Sequence, residues 1–319
     1  MSDHFIALSG GVGGAKLALG LARVLAPENL TIVANTGDDF EHLGLHIAPD
    51  LDTVMYTLAG VANTETGWGR AGETWSFMAA LGELGGETWF QLGDKDLAVH
   101  IERRDRLSRG QSLSAVTTAL SKALGVKQSI VPMSDDPVRT MLMTPQGELA
   151  FQHYFVRDRC EPRISAVRFD GAGTARPAPA FLQALEDKDL AGVIICPSNP
   201  YVSVGPILAL PGIREALGDI AAPVVAVSPI IKGLAVRGPA AKMMAELGME
   251  ASVETVARHY RGLVRGLVID DQDAASRALV EAEDMAVGVT NTIMNTLGDR
   301  EELARYVIDF TKQLSRSGR

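Results

Sequence analysis

The sequence predicts an α/β fold: a doubly wound, mostly parallel Rossmann-like sheet carrying a β-rich and helical insertion. Three observations carry this prediction. The apolar run Phe5-Ile6-Ala7-Leu8 leads directly into Ser9-Gly10-Gly11-Val12-Gly13-Gly14-Ala15-Lys16, behind which Leu17, Leu21, Val24 and Leu25 recur at helical spacing. Further short apolar runs at 30–34, 193–196, 224–227 and 267–270 alternate with helical patterns, as the units of a parallel sheet do. Between about 129 and 176 the pattern changes to alternating runs joined by turns. The expected organisation is one α/β domain over 1–319, with 129–176 as an inserted subdomain or lid.

A buried strand, a glycine-rich turn and a helix start make a phosphate site. Glycines let backbone N–H groups approach an anion, and the helix N-terminus adds unpaired donors and the positive end of a dipole. Lys16 adds a cation where a phosphate would lie. Four glycines in the five positions 10–14 favour such a cradle over a turn in which glycine only relieves crowding. The spacing separates it from better-known cradles. A P-loop needs Ser or Thr after its lysine, and here Leu17 follows Lys16. A dinucleotide fingerprint anchored at Gly11 and Gly13 wants Gly or Ala where Lys16 stands, and an acid where the second strand closes on Asn35. An NAD-dependent dehydrogenase is therefore not expected.

The second strand, Leu30 to Ala34, empties into Asn35-Thr36-Gly37-Asp38-Asp39-Phe40-Glu41-His42. In an open α/β sheet, ligands lie beyond the carboxyl ends of the strands, which is where both loops fall. Pro49-Asp50-Leu51-Asp52-Thr53 then opens a helix with Val54, Leu58 and Val61 on one face. One aspartate could serve as a helix cap worth about 1 kcal/mol. Three others remain, and four carboxylates beside a phosphate cradle repel the substrate unless a cation lies between. Mg²⁺ suits the site, because it takes one or two carboxylates plus substrate phosphate oxygens. His42 and His46 lack an HExxH frame and read as part of a polar loop.

Of Trp68, Trp75 and Trp89, at least two are expected to be packing residues and not the lining of an aromatic slot. Trp89-Phe90-Gln91-Leu92 reads as a third strand ending in Gly93-Asp94-Lys95-Asp96, followed by helices at about 97–107 and 113–124 with Ser112 as N-cap. Within the insertion, Ser134-Asp135-Asp136-Pro137 is a turn and Pro145-Gln146-Gly147 a hairpin. The doubly wound pattern resumes with a helix near 180–187, strand Val193–Cys196, a helix after Pro206 and strand Val224–Val227. A helix near 238–247, strand Leu267–Asp270 and helices at about 273–283 and 299–315 close it. Two late strands run into rigid polar loops, Pro197-Ser198-Asn199-Pro200 and Ser228-Pro229-Ile230-Ile231-Lys232. Each alone is ordinary turn chemistry. Their shared position at the ligand edge favours contact with a phosphate, ribose or base.

Composition sets outer limits. With 46% hydrophobic and 22% charged residues the chain is globular, and a formal net charge of -9 argues against a nucleic-acid partner. Cys160 and Cys196 form neither a disulfide framework nor a zinc motif. No basic-then-apolar leader and no apolar run of about 18 residues occurs, so a cytoplasmic protein without a membrane partner is expected.

The blocks Gly10–Leu17, Asn35–Asp39, Pro49–Thr53, Leu92-Gly93-Asp94 with Asp96, Pro132 with Ser134-Asp135, Pro197–Pro200 with Ser203, Gly205, Pro206 and Ile207, and Ser228–Ile231 resemble the 2-phospho-L-lactate transferases of deazaflavin coenzyme F-420 biosynthesis. They fall in family order over nearly the whole chain. The resemblance implies a Mg²⁺-dependent transfer to the terminal ribityl hydroxyl of the deazaflavin precursor Fo. The donor is a guanosine nucleotide joined through a diphosphate to a three-carbon acid, and GMP leaves. That acid is lactate in archaeal members and phosphoenolpyruvate or a glycerate in bacterial ones. By motif position, Asp38, Asp39 and Asp52 are the implied metal carboxylates, with Asp50 and Asp52 as catalytic residues. Gly11, Val12, Gly13, Gly14, Lys16, Asn35, Asp52, Gln91, Ser198, Asn199 and Ser228 are implied substrate contacts. The Ser-Pro-Ile-Ile block continues here through Lys232, Gly233 and Leu234, which leaves open whether Lys232 or Arg237 meets the donor. A homo-oligomer, with a dimer favoured, is expected. The rival reading is a nucleotide-sugar-binding regulatory protein on the same fold, which could dispense with the acidic cluster.

Overall fold

The computed structural model describes residues 3–235 and 239–317. Its centre is a parallel sheet built from β1 (His4–Ser9), β2 (Leu30–Ala34), β3 (Ser129–Pro132), β4 (Leu190–Ile195), β5 (Val224–Val227), β6 (Gly266–Asp270) and β7 (Ala286–Thr290). They lie in the order β7-β6-β5-β4-β1-β2-β3. The chain thus winds outward from β1 through β2 to β3, then returns to the other side of β1 as β4. That reversal is the topological switch point, where an open α/β sheet leaves a crevice. The register aligns the strand ends: Ser9 pairs with Ala34, Leu8 with Ile195, and Ala34 with Pro132. Four loops consequently emerge at one edge.

The strands read as continuous apolar runs because both faces are covered. Phe5, Ala7, Ile32 and Ile194 enter one buried cluster, while Ile6, Leu8, Val33 and Val193 enter the other. Each fully buried aliphatic side chain contributes about 1.5–3 kcal/mol, so a one-residue slip, which exchanges the two sets, is strongly disfavoured. On one face α1 (Gly11–Val24) packs between α2 (Pro49–Leu58) and the C-terminal helix Leu297–Ser317. No described helix is long and apolar enough to cross a membrane.

The insertion differs from the expected 129–176 segment. Ser129–Pro132 belongs to the main sheet as β3, because Ile130 and Val131 bury into opposite cores. The inserted part begins beyond it, closed at its base by the Ser134–Pro177 bridge and the Ala178 N–H donating to the Met133 carbonyl at 2.9 Å. It holds a three-stranded antiparallel sheet of Arg139–Thr144, Gly147–Ala150 and Ala166–Asp170, with a wide helical turn at His153–Arg157 between the second and third of these in chain order. The strand expected at Trp89–Leu92 does not form. Trp89 and Phe90 instead pack against Phe40, with ring centroids 5.8 and 4.9 Å away. β7, the hairpin Phe40–His42/Leu45–Ile47 and the helix Ser76–Glu83 were not expected from the sequence. Ser112 caps the helix Leu113–Ala123 as expected, its hydroxyl accepting from the Ala115 N–H at 3.2 Å. Both cysteines are free, Cys196 buried and Cys160 half-buried.

His259 packs edge-on against Tyr201 and Tyr260, at 4.7 and 5.0 Å between ring centroids. Burial, with a smaller effect from Arg214, pushes its imidazole down to about 4. The unfolded chain titrates near 6.5, so it binds the proton first as the pH falls. The stability tied to neutral His259 is therefore complete above about 6.5 and is lost as the pH falls towards 4. His259→Gln is expected to lose less stability than the wild type over that window, as urea midpoints measured at both ends would report.

Candidate functional site

A cavity of about 580 Å³ opens at the carboxyl edge of the sheet, over the switch point. That size suits a small-molecule ligand. Its floor comes from the strand-end loops: Gly10–Gly13 after β1, Asp38 after β2, Pro197–Asn199 after β4, Ser228 and Pro229 after β5, and Thr292 and Met294 after β7. Asp50 and Thr53 of α2 form one wall, and Trp68, Phe90, Gln91, Phe151 and Phe155 form an aromatic side.

The glycine turn is built by two different requirements. Gly11 has φ +64°, a conformation that L side chains rarely adopt, and open space where a side chain would point. Gly13 is forced by contact: an added Cβ would lie 2.4 Å from the Pro197 carbonyl oxygen. Its Cα therefore faces the β4 loop, and the close approach it permits is between two loops of the protein. Gly13→Ala is expected to cost about 1–3 kcal/mol through overpacking. Denaturant unfolding would measure that loss, and an unchanged midpoint would refute the contact. Gly14 is buried under Ser198 and Ser9 and does not line the cavity. Gly10, Gly13 and Gly14 thus do relieve crowding, while Gly10 to Gly13 still present backbone to the cavity.

Ser198 locks the turn from the β4 side. Its hydroxyl accepts from the Gly10 N–H at 3.1 Å and donates to the Gly10 carbonyl at 2.8 Å. Asp50 locks it from α2: one carboxylate oxygen accepts from the Gly11 N–H at 2.7 Å, the other from Asn35 Nδ2 at 2.9 Å. Asn35 is fully buried, does not line the cavity, and also donates to the Val202 carbonyl at 3.3 Å. It positions Asp50 and is not placed to touch a ligand. Lys16 lines the cavity with Nζ donating to the Met294 carbonyl at 2.8 Å. The Asn199 side-chain oxygen accepts from the Tyr201 N–H at 3.0 Å, Ser228 closes a local turn with Ile230, and Gln91 Nε2 donates to the Thr88 carbonyl at 2.7 Å. All three line the cavity.

The acidic residues separate into two groups. Asp38 and Asp50 line the cavity. Burial, then the neighbouring Asp50 charge, hold the Asp38 carboxyl well above the usual carboxylate range, and its Oδ1 is buried without a hydrogen-bond partner. Burial raises Asp50 to about 6, against the opposing hydrogen bonds from Asn35 and Gly11. Asp39 and Asp52 point elsewhere. Asp39 accepts from or pairs with His46 Nε2 at 2.9 Å, and burial raises its carboxyl against that pairing. Asp52 is taken up by the buried guanidinium of Arg103, which donates from Nη1 at 3.1 Å and closes a second contact from Nη2. Of the expected metal set Asp38, Asp39 and Asp52, Asp38 lines the cavity and Asp39 and Asp52 do not; Asp50 is the second carboxylate there. No group of three or more His, Cys, Asp or Glu arranged for a metal occurs among the described residues. A pair of dry, mutually repelling carboxylates with an unpartnered oxygen does fit a cation that completes its shell from a ligand's phosphate oxygens.

The sequence did not single out Thr66, Phe151, Gln152, Phe155, Thr292 and Met294, which line the cavity, whereas Trp68 was open as a slot residue and lines it. Trp89 is a packing residue as expected, whereas Trp75 is 41% exposed and meets, edge-on, Trp68, which is 47% exposed at the cavity rim. The Lys232 side chain does not line the cavity, its N–H donates to Asp273, and Arg237 lies outside the described residues.

Fold and cavity together define a Rossmann-like small-molecule-binding protein with an acidic, phosphate-suited site at its switch point. Residues 5–309 match the family described as 2-phospho-L-lactate transferase CofD. The chain is 44% identical to a phosphoenolpyruvate transferase of Kitasatospora aureofaciens, covering 98% of both chains. It is 39% identical to a 2-phospho-L-lactate transferase of Methanosarcina mazei, covering 95% of this chain and 99% of that one. A solved member of the UPF0052 family from Bacillus halodurans superposes with TM-score 0.62 at 14% identity, over 97% of this chain and 99% of that one, which shows the shared fold alone. The chain belongs to the 2-phospho-L-lactate transferase family, and it is a transferase of the 2-phospho-L-lactate or phosphoenolpyruvate kind.

Proposed function

We propose that this protein moves a phospho-three-carbon-acid group from a guanosine diphosphate-linked donor to the ribityl hydroxyl of Fo, releasing GMP, in a Mg²⁺-dependent reaction of the substituted-phosphate transferase class (EC 2.7.8). The observation that carries the reading is the gathering of the glycine turn and the buried Asp38–Asp50 pair, with Asp50 bonded to the turn itself, in one cavity with an aromatic side. The glycine turn suits a diphosphate, and the flat rings of Trp68, Phe90, Phe151 and Phe155 suit a deazaflavin. The 44% relative carries the phosphoenolpyruvate name and the 39% relative the lactate name, which favours an enolpyruvyl donor.

Transfer of this kind depends on positioning and charge neutralisation more than on covalent catalysis. Mg²⁺, when bound, supplies neutralisation of the donor's diphosphate, and Asp38 and Asp50 would hold it. Beyond the Gly11 N–H held by Asp50, the first-turn amides of Val12 and Gly13 would orient the phosphate oxygens, since a helix start leaves its N–H groups without intrahelical partners. Ser198 and Asn199 border the same region. A carboxylate that faces the cavity, Asp50 in this reading, takes the proton of the acceptor hydroxyl.

The test is mass spectrometry of products formed from Fo with each guanosine diphosphate-linked acid, lactyl, enolpyruvyl and glyceryl. The expected result is an Fo adduct carrying one phosphate and the enolpyruvyl group, with GMP in equal amount. A protein that binds the nucleotide but converts Fo with none of the donors would instead be the nucleotide-binding regulator on this fold.

A further inference from the structure

Beneath the cavity, and outside it, lies a buried polar network whose centre is Arg103 on the helix Asp94–Ser108. This side chain is 2% exposed and is the largest of the fully buried ones. Burying a charge of this size is costly, and an apolar residue of similar volume often serves stability as well. The contacts indicate what the charge does. The guanidinium grips both oxygens of Asp52 on α2, two residues beyond Asp50. The same Nη1 donates to the His46 carbonyl at 3.3 Å. His46 in turn holds Asp39, the chain neighbour of Asp38, at 2.9 Å. A second tie runs from α2 to the same helix, Tyr56 donating to Asp96 at 2.6 Å, with His100 Nε2 3.2 Å from the other Asp96 oxygen.

We propose that Arg103 is a positioning residue that fixes the spacing of Asp38 and Asp50 by tying α2 to the Asp38–His46 segment. The inference rests on the reading that these two carboxylates hold the cation. A planar fork with donors left over for a third group can do this, whereas an ammonium reaches the same partners only as a point charge. Deleting Arg103 alone leaves Asp52 buried and unpaired, so the informative variant removes both charges. Arg103→Met/Asp52→Leu keeps the volume apolar and is expected to fold with a melting temperature near that of the wild type.

The experiment compares the wild type, the double variant and Arg103→Lys, with GDP as the probe. Two readouts are taken: the Mg²⁺ concentration that half-saturates calorimetric GDP binding, and kcat and KM for transfer to Fo. In the double variant the Mg²⁺ requirement is expected to rise and kcat to fall, each by about 10–100-fold, with the KM for Fo little changed. Arg103→Lys is expected to fall between the two proteins in both. A folded double variant with the wild-type Mg²⁺ requirement and kcat overturns the positioning role. Wild-type GDP binding and transfer that ignore Mg²⁺ overturn the cation reading itself, and with it this proposal, so the two failures are distinct.

Discussion

Asp38→Asn is expected to lower turnover by roughly 10²–10³-fold and to raise the Mg²⁺ concentration that GDP binding needs, with nucleotide affinity at saturating Mg²⁺ within a few-fold of the wild type. The substitution keeps the shape of the side chain and removes the charge that faces the glycine turn. The same change is expected to stabilise the protein. Burial and the Asp50 charge raise the Asp38 carboxyl in the fold, so the folded chain binds its proton more readily than the unfolded one. The stability carried by that proton is present at low pH and is lost as the pH rises through the folded value. Above the ordinary carboxylate range the cost of ionising the buried group opposes folding, and asparagine relieves it. A more stable, inactive protein is the signature of a carboxylate kept for chemistry. Single-turnover transfer to Fo and thermal unfolding at neutral pH measure the two effects. A variant that is less stable and fully active would contradict both.

Asp52→Leu is expected to have the opposite effect on stability. It leaves the Arg103 guanidinium buried without its carboxylate, and breaking such a pair costs about 3–5 kcal/mol. Urea unfolding should show that loss, and its size is set by the unpaired charge and not by the cavity. An Asp52→Leu protein as stable as the wild type would mean that Arg103 finds another partner. Together the two substitutions separate a carboxylate that faces ligand from one that supports the frame.

The distinction between Asp50 and Asp52 was available in the sequence. A helix opening at Pro49 puts residues two apart on different faces, so the two aspartates could not both face one ligand. The strand-end loops were legible because parallel strands buried on both faces leave a strong apolar signature, and their loops fall at a known edge. β7 was missed because Ala286-Val287-Gly288-Val289-Thr290 is a short run carrying a glycine and lying at the sheet edge. Trp89 and Phe90 imitated a strand because aromatic residues favour both strands and packed loops; their partners, Phe40 and His153, are distant in sequence. The aromatic side of the cavity was hidden for the same reason. Phe151 and Phe155 stack at 5.5 Å within the insertion, and only the folding of that insertion over the sheet brings them to Trp68 and Phe90. Asn35 looked like a ligand contact because it closes a strand at the ligand edge, yet its amide is consumed by Asp50 and Val202.

The central claim is that Asp38 and Asp50 form a cation site that serves transfer across the glycine turn. The measurement that tests it most directly is Fo adduct formation by wild-type protein, with the guanosine diphosphate-linked donor that gives product, after exhaustive chelation and again after Mg²⁺ is returned. The stripped protein is expected to form no adduct and to recover the full rate on Mg²⁺ addition. Adduct formed at the full rate without any divalent cation would contradict it.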